Sequence, residues 1–211
     1  LELAFSSATF DNEVSGVAGE TVLVSGSRIV LDANNASYAG TWQVTGSASI
    51  SGTTTDVIGN IGANSLLDLD GGTFSLATSD DAGFTFANMM KGSGKLAAEL
   101  GAELNNFRFN TAAVKAGGTF NGTFAINYGQ FVFDNADRTG NGVLANATLE
   151  VGRNGSGVGS ALLNGDYKIG GLAMEGGTLR IDTDGTGAPM GMLTVGDLTV
   201  DGGGTVALHI P

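Results

Sequence analysis

The chain has no cysteine, two prolines, one histidine and one tryptophan, and only 14% of its 211 residues are charged. Each shortage removes a class of protein. Without cysteine there is no disulfide framework, and a lone histidine leaves a zinc site too few donors. Nine lysines and arginines against 21 acids give a formal charge of −12. The basic patch of a nucleic-acid or anionic-membrane binder is therefore missing. The low charge also excludes a coiled coil, which needs Glu, Lys and Arg in heptads. No run approaches the ~18 apolar residues of a membrane helix, and no signal-peptide pattern opens at Leu1.

What fills the chain instead is 36 glycines with 21 Thr, 16 Asn and 15 Ser. Gly and Pro together are 38 of 211 residues, below the ~25–30% that marks low-complexity disorder. The apolar residues also fall in short alternating bursts. Among them are Val22-Leu23-Val24, Ile29-Val30-Leu31, Phe74-Ser75-Leu76, Phe84-Thr85-Phe86, Phe107-Arg108-Phe109, Phe131-Val132-Phe133, Leu179-Arg180-Ile181 and Leu198-Thr199-Val200. Apolar–x–apolar is the period-2 mark of a half-buried strand, and Gly, Asn, Asp and Ser bound nearly every burst. Met89 to Leu104 has helical spacing, but Gly92, Gly94 and Gly101 limit it to one short turn at most. The chain is expected to be all-β.

Two motifs repeat. One is apolar–x–apolar, an acid, a glycine pair, Thr, apolar–x–apolar. It covers Leu67 to Leu76, Leu172 to Ile181 and Leu198 to Leu208, with a weaker copy at Lys115 to Phe120. The other is aromatic–x–Gly–Thr–aromatic–x–aliphatic, at Tyr38 to Val44 and Phe120 to Ile126. The glycine pairs begin at 71, 117, 176 and 202, giving gaps of 46, 59 and 26 residues. A unit of ~20–29 residues with variable loops fits these gaps, whereas a propeller blade of ~40–45 does not. A β-sandwich shares the local spacing and stays open on this evidence.

A parallel β-helix (β-solenoid) accounts for each feature. Strands pair with their equivalents one coil away, ~4.8 Å apart, so triplets stack like on like inside. Corners with φ > 0 use Gly and Asn, and proline would delete a ladder donor. At ~22 residues per coil the chain makes about nine or ten coils, a rod roughly 45 Å long.

The runs Phe84 to Asn88, Gly92 to Leu96, Asn106 to Phe109, Phe120 to Phe124 and Ala147 to Gly152 resemble the passenger domains of bacterial autotransporters of the pertactin/AIDA type. The resemblance covers roughly residues 38–208. It implies a right-handed parallel β-helix, a single domain over 1–211 that is a fragment of a longer passenger. That passenger would be exported through the outer membrane by type V secretion and displayed at the bacterial cell surface or secreted. It implies a C-terminal outer-membrane β-barrel as partner, absent from these residues. It also places about 171–211 in the C-terminal region where passenger folding starts.

Few residues offer chemistry. Asp182-x-Asp184-Gly185 opens like a calcium loop, but position 12 is Leu193 rather than Glu; Asp68-x-Asp70-Gly71 has Thr73 where the loop glycine belongs. Both read as corner aspartates. Asp80-Asp81 offers two carboxylates, yet strand neighbours face opposite ways, so the pair reads as solvated. The single His209 is the one candidate base for a triad, and Gly-x-Ser-x-Gly is missing. Gly92-Ser93-Gly94-Lys95 does not meet the P-loop frame. Tyr38 and Trp42, four apart, share a face if both lie on one strand, which makes that coil a candidate outward contact; the other aromatics read as core. Asn35, Asn121, Asn146 and Asn154 head Asn-x-Ser/Thr patterns but read as corner asparagines.

The expected function is non-catalytic, with no cofactor or metal and no assigned binding residues: adhesion or bacterial self-association by a rod displaying rows of Thr, Ser, Asn and Asp. Expected partners are a second rod, a host glycan or a matrix protein, and no nucleic acid. The alternatives are a structural stalk or folding segment with its binding site elsewhere, or a polysaccharide-degrading β-helix enzyme.

Overall fold

The computed structural model describes residues 1–79, 83–101, 107–115, 117–134, 142–153, 159–182 and 193–208. Every strand ladder among them is parallel. The fold is a parallel β-solenoid, as the triplets and glycine corners predict. A face-to-face antiparallel sandwich is thereby ruled out.

Three walls build the spiral. The first holds Glu2–Leu3, Thr21–Val24, Thr41–Thr45, Leu66–Asp70 and Met89–Gly92. The second runs the whole length with nine strands: Ser7–Phe10, Arg28–Leu31, Ser49–Gly52, Thr73–Ala77, Lys95–Glu99, Thr123–Asp134, Thr148–Gly152, Tyr167–Glu175 and Leu193–Val200. The third begins later, with Phe84–Phe86, Phe107–Asn110, the distal half of Thr123–Asp134, Gly159–Asn164, Thr178–Asp182 and Thr205–Leu208. The path makes about seven turns, fewer than the nine or ten expected from ~22 residues per coil. Register steps along that wall run from 21 residues, Ser7 to Arg28, to 28, Lys95 to Thr123.

Like stacks on like inside. Ile29, Ile50, Phe74, Leu96, Phe124, Leu149 and Leu172 are consecutive in register on the second wall and all buried. On the third wall Phe86, Phe109, Phe133, Leu163 and Ile181 form another buried column. Phe86 and Phe109 rings stack at 5.6 Å, and Phe133 lies 5.1 Å from Phe109. Each such ring contributes roughly 1.5–3 kcal/mol by leaving water.

The glycine pairs sit at corners, but their two members do different things. Gly71 and Gly176 take φ of +82° and +93°, where a Cβ is strained. Gly72 has ordinary φ and lacks room instead: a Cβ there would lie 2.6 Å from the Val44 carbonyl oxygen. Gly72 belongs to a column of small residues on the second wall, continuing through Gly94, Gly122 and Ala147, each just before a strand, to Gly170 at the equivalent register inside Tyr167–Glu175. The carbonyls of this column accept the next coil's first strand amide: Lys95 to Gly72 at 2.9 Å, Thr123 to Gly94 at 3.0 Å and Thr148 to Gly122 at 3.0 Å. The repeated motif also marks two different corners. Gly71-Gly72 turns from the first wall to the second, Gly176-Gly177 from the second to the third.

One further expectation needs correction. Tyr38 and Trp42 are buried, not outward, with ring centroids 4.8 Å apart. Burial is tolerated because each polar tip finds a backbone acceptor: Trp42 Nε1–H donates to the Ile61 carbonyl at 2.8 Å, and the Tyr38 hydroxyl to Thr41 at 2.8 Å. Tyr38 precedes the strand Thr41–Thr45, so the two residues do not alternate on one extended segment. Met89 to Leu104 holds no helical turn among its described residues; it supplies the strands Met89–Gly92 and Lys95–Glu99. The short helices are Val57–Ile61 and Thr111–Lys115. The first is capped by Asp56, whose carboxylate accepts the Gly59 amide at 3.1 Å.

Buried asparagines stitch the coils. Asn35 accepts the Val14 amide at 2.6 Å and donates to the Asn60 carbonyl at 2.5 Å. Asn60 reaches Asp32 and Ala33, and Asn88 reaches the Gly62 carbonyl at 2.8 Å. These bonds answer backbone groups that the corners take out of the sheets. The last coil differs: Leu198, Val200, Val206 and Leu208 continue the core columns in register above Leu172, Met174, Leu179 and Ile181, yet they are exposed.

Candidate functional site

Chemistry on a stacked spiral has to come from outward positions and from breaks in the regular register. The main break lies between Ala98 and Glu99. Ala98 pairs with Ile126, but Glu99 pairs with Tyr128, so Asn127 is an extra residue. A bulge of this kind bends the strand and re-aims the following side chain. Here it turns Tyr128 outward, 49% exposed, while the Tyr128 carbonyl still accepts the Leu100 amide at 3.1 Å. Gly129, with φ of +72°, then turns the chain onto the third wall.

Tyr128 lines a cleft of about 490 Å³ together with Thr78, Ser79, Glu99, Asn127 and Arg153. Glu99 and Arg153 come from coils two steps apart and face each other across it, Arg153 Nη1 lying 3.1 Å from Glu99 Oε1. Both side chains are well exposed, so the pair is a weak tether that presents a carboxylate beside a guanidinium.

Sequence reading did not single out Tyr128. The usable signal was the phase of alternation. Phe124 and Ile126 put even positions inside; Phe131 and Phe133 put odd positions inside. A phase change between them requires a corner or bulge, and Tyr128 stands in that gap.

Other candidates among the described residues make local ion pairs and backbone bonds. Asp68 pairs with Lys91 at 3.2 Å and Asp182 with Arg180 at 3.1 Å, each along a wall. Lys95, from the Gly92-Ser93-Gly94-Lys95 run, reaches over one coil to Glu150 at 3.3 Å. Asn35 is buried with both ends of its amide bonded, as the corner reading predicts. Asp80, Asp81, Asp184, Asn154, His209, Pro189 and Pro211 lie outside the described residues. Among the described residues no group of three His, Cys, Asp or Glu side chains gathers to hold a metal.

A second polar cluster lies on the third wall. Arg108 makes a two-pronged pair with Asp134, Nε to Oδ2 and Nη2 to Oδ1 both at 2.7 Å. Asn164 adds a bond to Asp134 Oδ1 at 3.1 Å. The Asp134 carboxylate pushes the Arg108 guanidinium above its already high ordinary value. Such a fork joins neighbouring coils and leaves no reactive group.

No family model matches the chain, and no solved structure matches it. The chain is similar to the uncharacterized lipoprotein YdeK of Escherichia coli (strain K12), 29% identical over 194 residues. The match takes in 90% of this chain and spans 13% of that protein's length.

Proposed function

We propose that this chain is a non-catalytic stack of coils in a larger cell-envelope protein, displayed at the bacterial surface and acting in adhesion or self-association. The observation that carries the reading is the nine-stranded wall. Its outward positions Ser7, Arg28, Ser49, Thr73, Lys95, Thr123 and Thr148 repeat in strict register. At ~4.8 Å per step, such a row offers many equivalent weak contacts, and repeated contacts gain strength from simultaneous engagement. The name lipoprotein of the E. coli relative supports an envelope setting, and the passenger-type β-solenoid supports export to the surface. On this reading a C-terminal outer-membrane β-barrel outside these residues carries the rod, and its partners are a second rod, a host glycan or a matrix protein.

The experiment is aggregation of beads coated with the purified chain. At −12 the rods repel, and the screening length falls from ~30 Å at 0.01 M salt to ~8 Å at 0.15 M. Clumping is expected to strengthen over that range. Clumping that weakens steadily with salt contradicts the polar-row mechanism. Beads that neither clump nor adhere to host cells or matrix at any salt leave the stalk reading in its place.

A further inference from the structure

We infer that the cleft beside Tyr128 is a binding site for a neutral saccharide carrying vicinal hydroxyls. The assignment supplies the adhesive reading with a ligand class and rests on that reading for its biological setting.

Three observations meet at one place. Most of the aromatic side chains are spent in the core, among them eight fully buried phenylalanines, Tyr38 and Trp42. Tyr128 instead stands half exposed, turned out by the extra residue Asn127. Its ring therefore lies outside the stacked core columns. It lies in a cleft of about 490 Å³, within the ~300–1,000 Å³ range of small-ligand sites. The polar lining combines the Glu99 carboxylate, the Arg153 guanidinium, the Asn127 amide and the Ser79 hydroxyl.

This combination matches a pyranose. A phenol ring offers a flat apolar face to the C–H face of the sugar while its hydroxyl stays in water. Neighbouring sugar hydroxyls each donate and accept, and a carboxylate held 3.1 Å from a guanidinium presents an acceptor and a fork of donors side by side. Charge decides between sugar classes. Glu99 already balances Arg153, and the whole chain carries −12, so uronic and sialic acids meet net repulsion. A phosphate or a nucleic acid is disfavoured for the same reason.

The test is saturation-transfer-difference NMR on the full purified chain. The probes are methyl glycosides of glucose, galactose, mannose and N-acetylglucosamine, with glucuronic and sialic acids as the charged set. At least one neutral glycoside is expected to show transfer concentrated on the ring C–H protons of one face. Tyr128→Ala should weaken binding about tenfold or more, Tyr128→Phe should keep it, and Glu99→Gln should weaken it several-fold. Circular dichroism melting of Tyr128→Ala, at an exposed position, should match the parent. No transfer to any neutral glycoside, binding by the acidic sugars alone, or binding indifferent to Tyr128→Ala would overturn the site. Bead clumping reads the other claim separately. Saccharide binding without clumping or cell adhesion removes the adhesive reading and keeps the site; clumping without saccharide binding does the reverse.

Discussion

Replacing Gly122 by alanine tests the packing of the spiral where neighbouring coils come closest to a missing side chain. Gly122 has ordinary φ, so alanine meets no conformational penalty there. Its Cβ would instead press on the Gly94 carbonyl oxygen one coil below and lie 2.6 Å from Phe120 Cζ, both under the 3.0 Å that Cβ atoms keep. Backbone cannot yield cheaply, because the same Gly94 oxygen accepts the Thr123 amide at 3.0 Å. Over-packing of this kind costs ~1–3 kcal/mol, and a ladder donor left without its acceptor ~1–3 kcal/mol more. The substitution should therefore destabilise by about 2–6 kcal/mol. Gly46→Ala is the control: φ is +60° and nothing lies within 4 Å, so left-handed strain alone applies, ~1–2 kcal/mol. Urea midpoints followed by circular dichroism should rank Gly122→Ala below Gly46→Ala. Stacked repeats couple chiefly to their neighbours, so amide exchange should accelerate at Thr123 and Thr148 and stay unchanged at Ser27 and Ser49. An equal or smaller loss for Gly122→Ala, or uniform acceleration along the chain, refutes the steric argument.

The remaining expectations are direct. Trp42→Ala removes a fully buried ring and should cost ~3–5 kcal/mol; the parent's tryptophan emission should be blue-shifted and resist acrylamide, and a red, quenchable emission would place Trp42 outside. Leu172→Ala, at 4% exposure, should cost ~2–5 kcal/mol, while Leu198→Ala, one coil later at 66% exposure, should cost under ~1 kcal/mol; equal urea midpoints would contradict the open last coil. Burial raises the Tyr38 phenol above its ordinary 10.0, with Glu20 adding to the shift. The unfolded chain then releases that proton first, so stability present below the ordinary value should fall as pH climbs beyond it. Tyr38→Phe should flatten this alkaline slope in a pH series of melting curves, and an unchanged slope would assign it elsewhere.

The fold was legible because a solenoid writes itself locally. Phe74-Ser75-Leu76 or Leu179-Arg180-Ile181 needs no distant partner to declare which side is in, and the glycine after each acid announces a corner. What stayed hidden depends on the third dimension. Gly71 and Gly72 look alike in sequence, yet backbone conformation demands the first and a neighbouring coil the second. The repeated motif carries no label for the corner it occupies, so Leu67-Asp68-Leu69 and Leu172-Ala173-Met174 line different walls. Tyr38 and Trp42 were misplaced because an acceptor such as the Ile61 carbonyl, 19 residues on, is invisible in sequence. Tyr128 was missed for the opposite reason: one inserted residue reverses its facing, and only the phase of the flanking phenylalanines betrays it.

The coil-to-coil ladder also fixes how the molecule would respond to tension. Its backbone bonds point along the rod, so a pull on the chain end opens one coil's worth of bonds before the next is loaded. Each release gives up only a single strand spacing of rod, ~4.8 Å. It pays out the 21 to 28 residues of that coil, about 70–90 Å of slack. Strained at one end, the protein would lengthen like line running off a reel, while the coils still wound keep their shape.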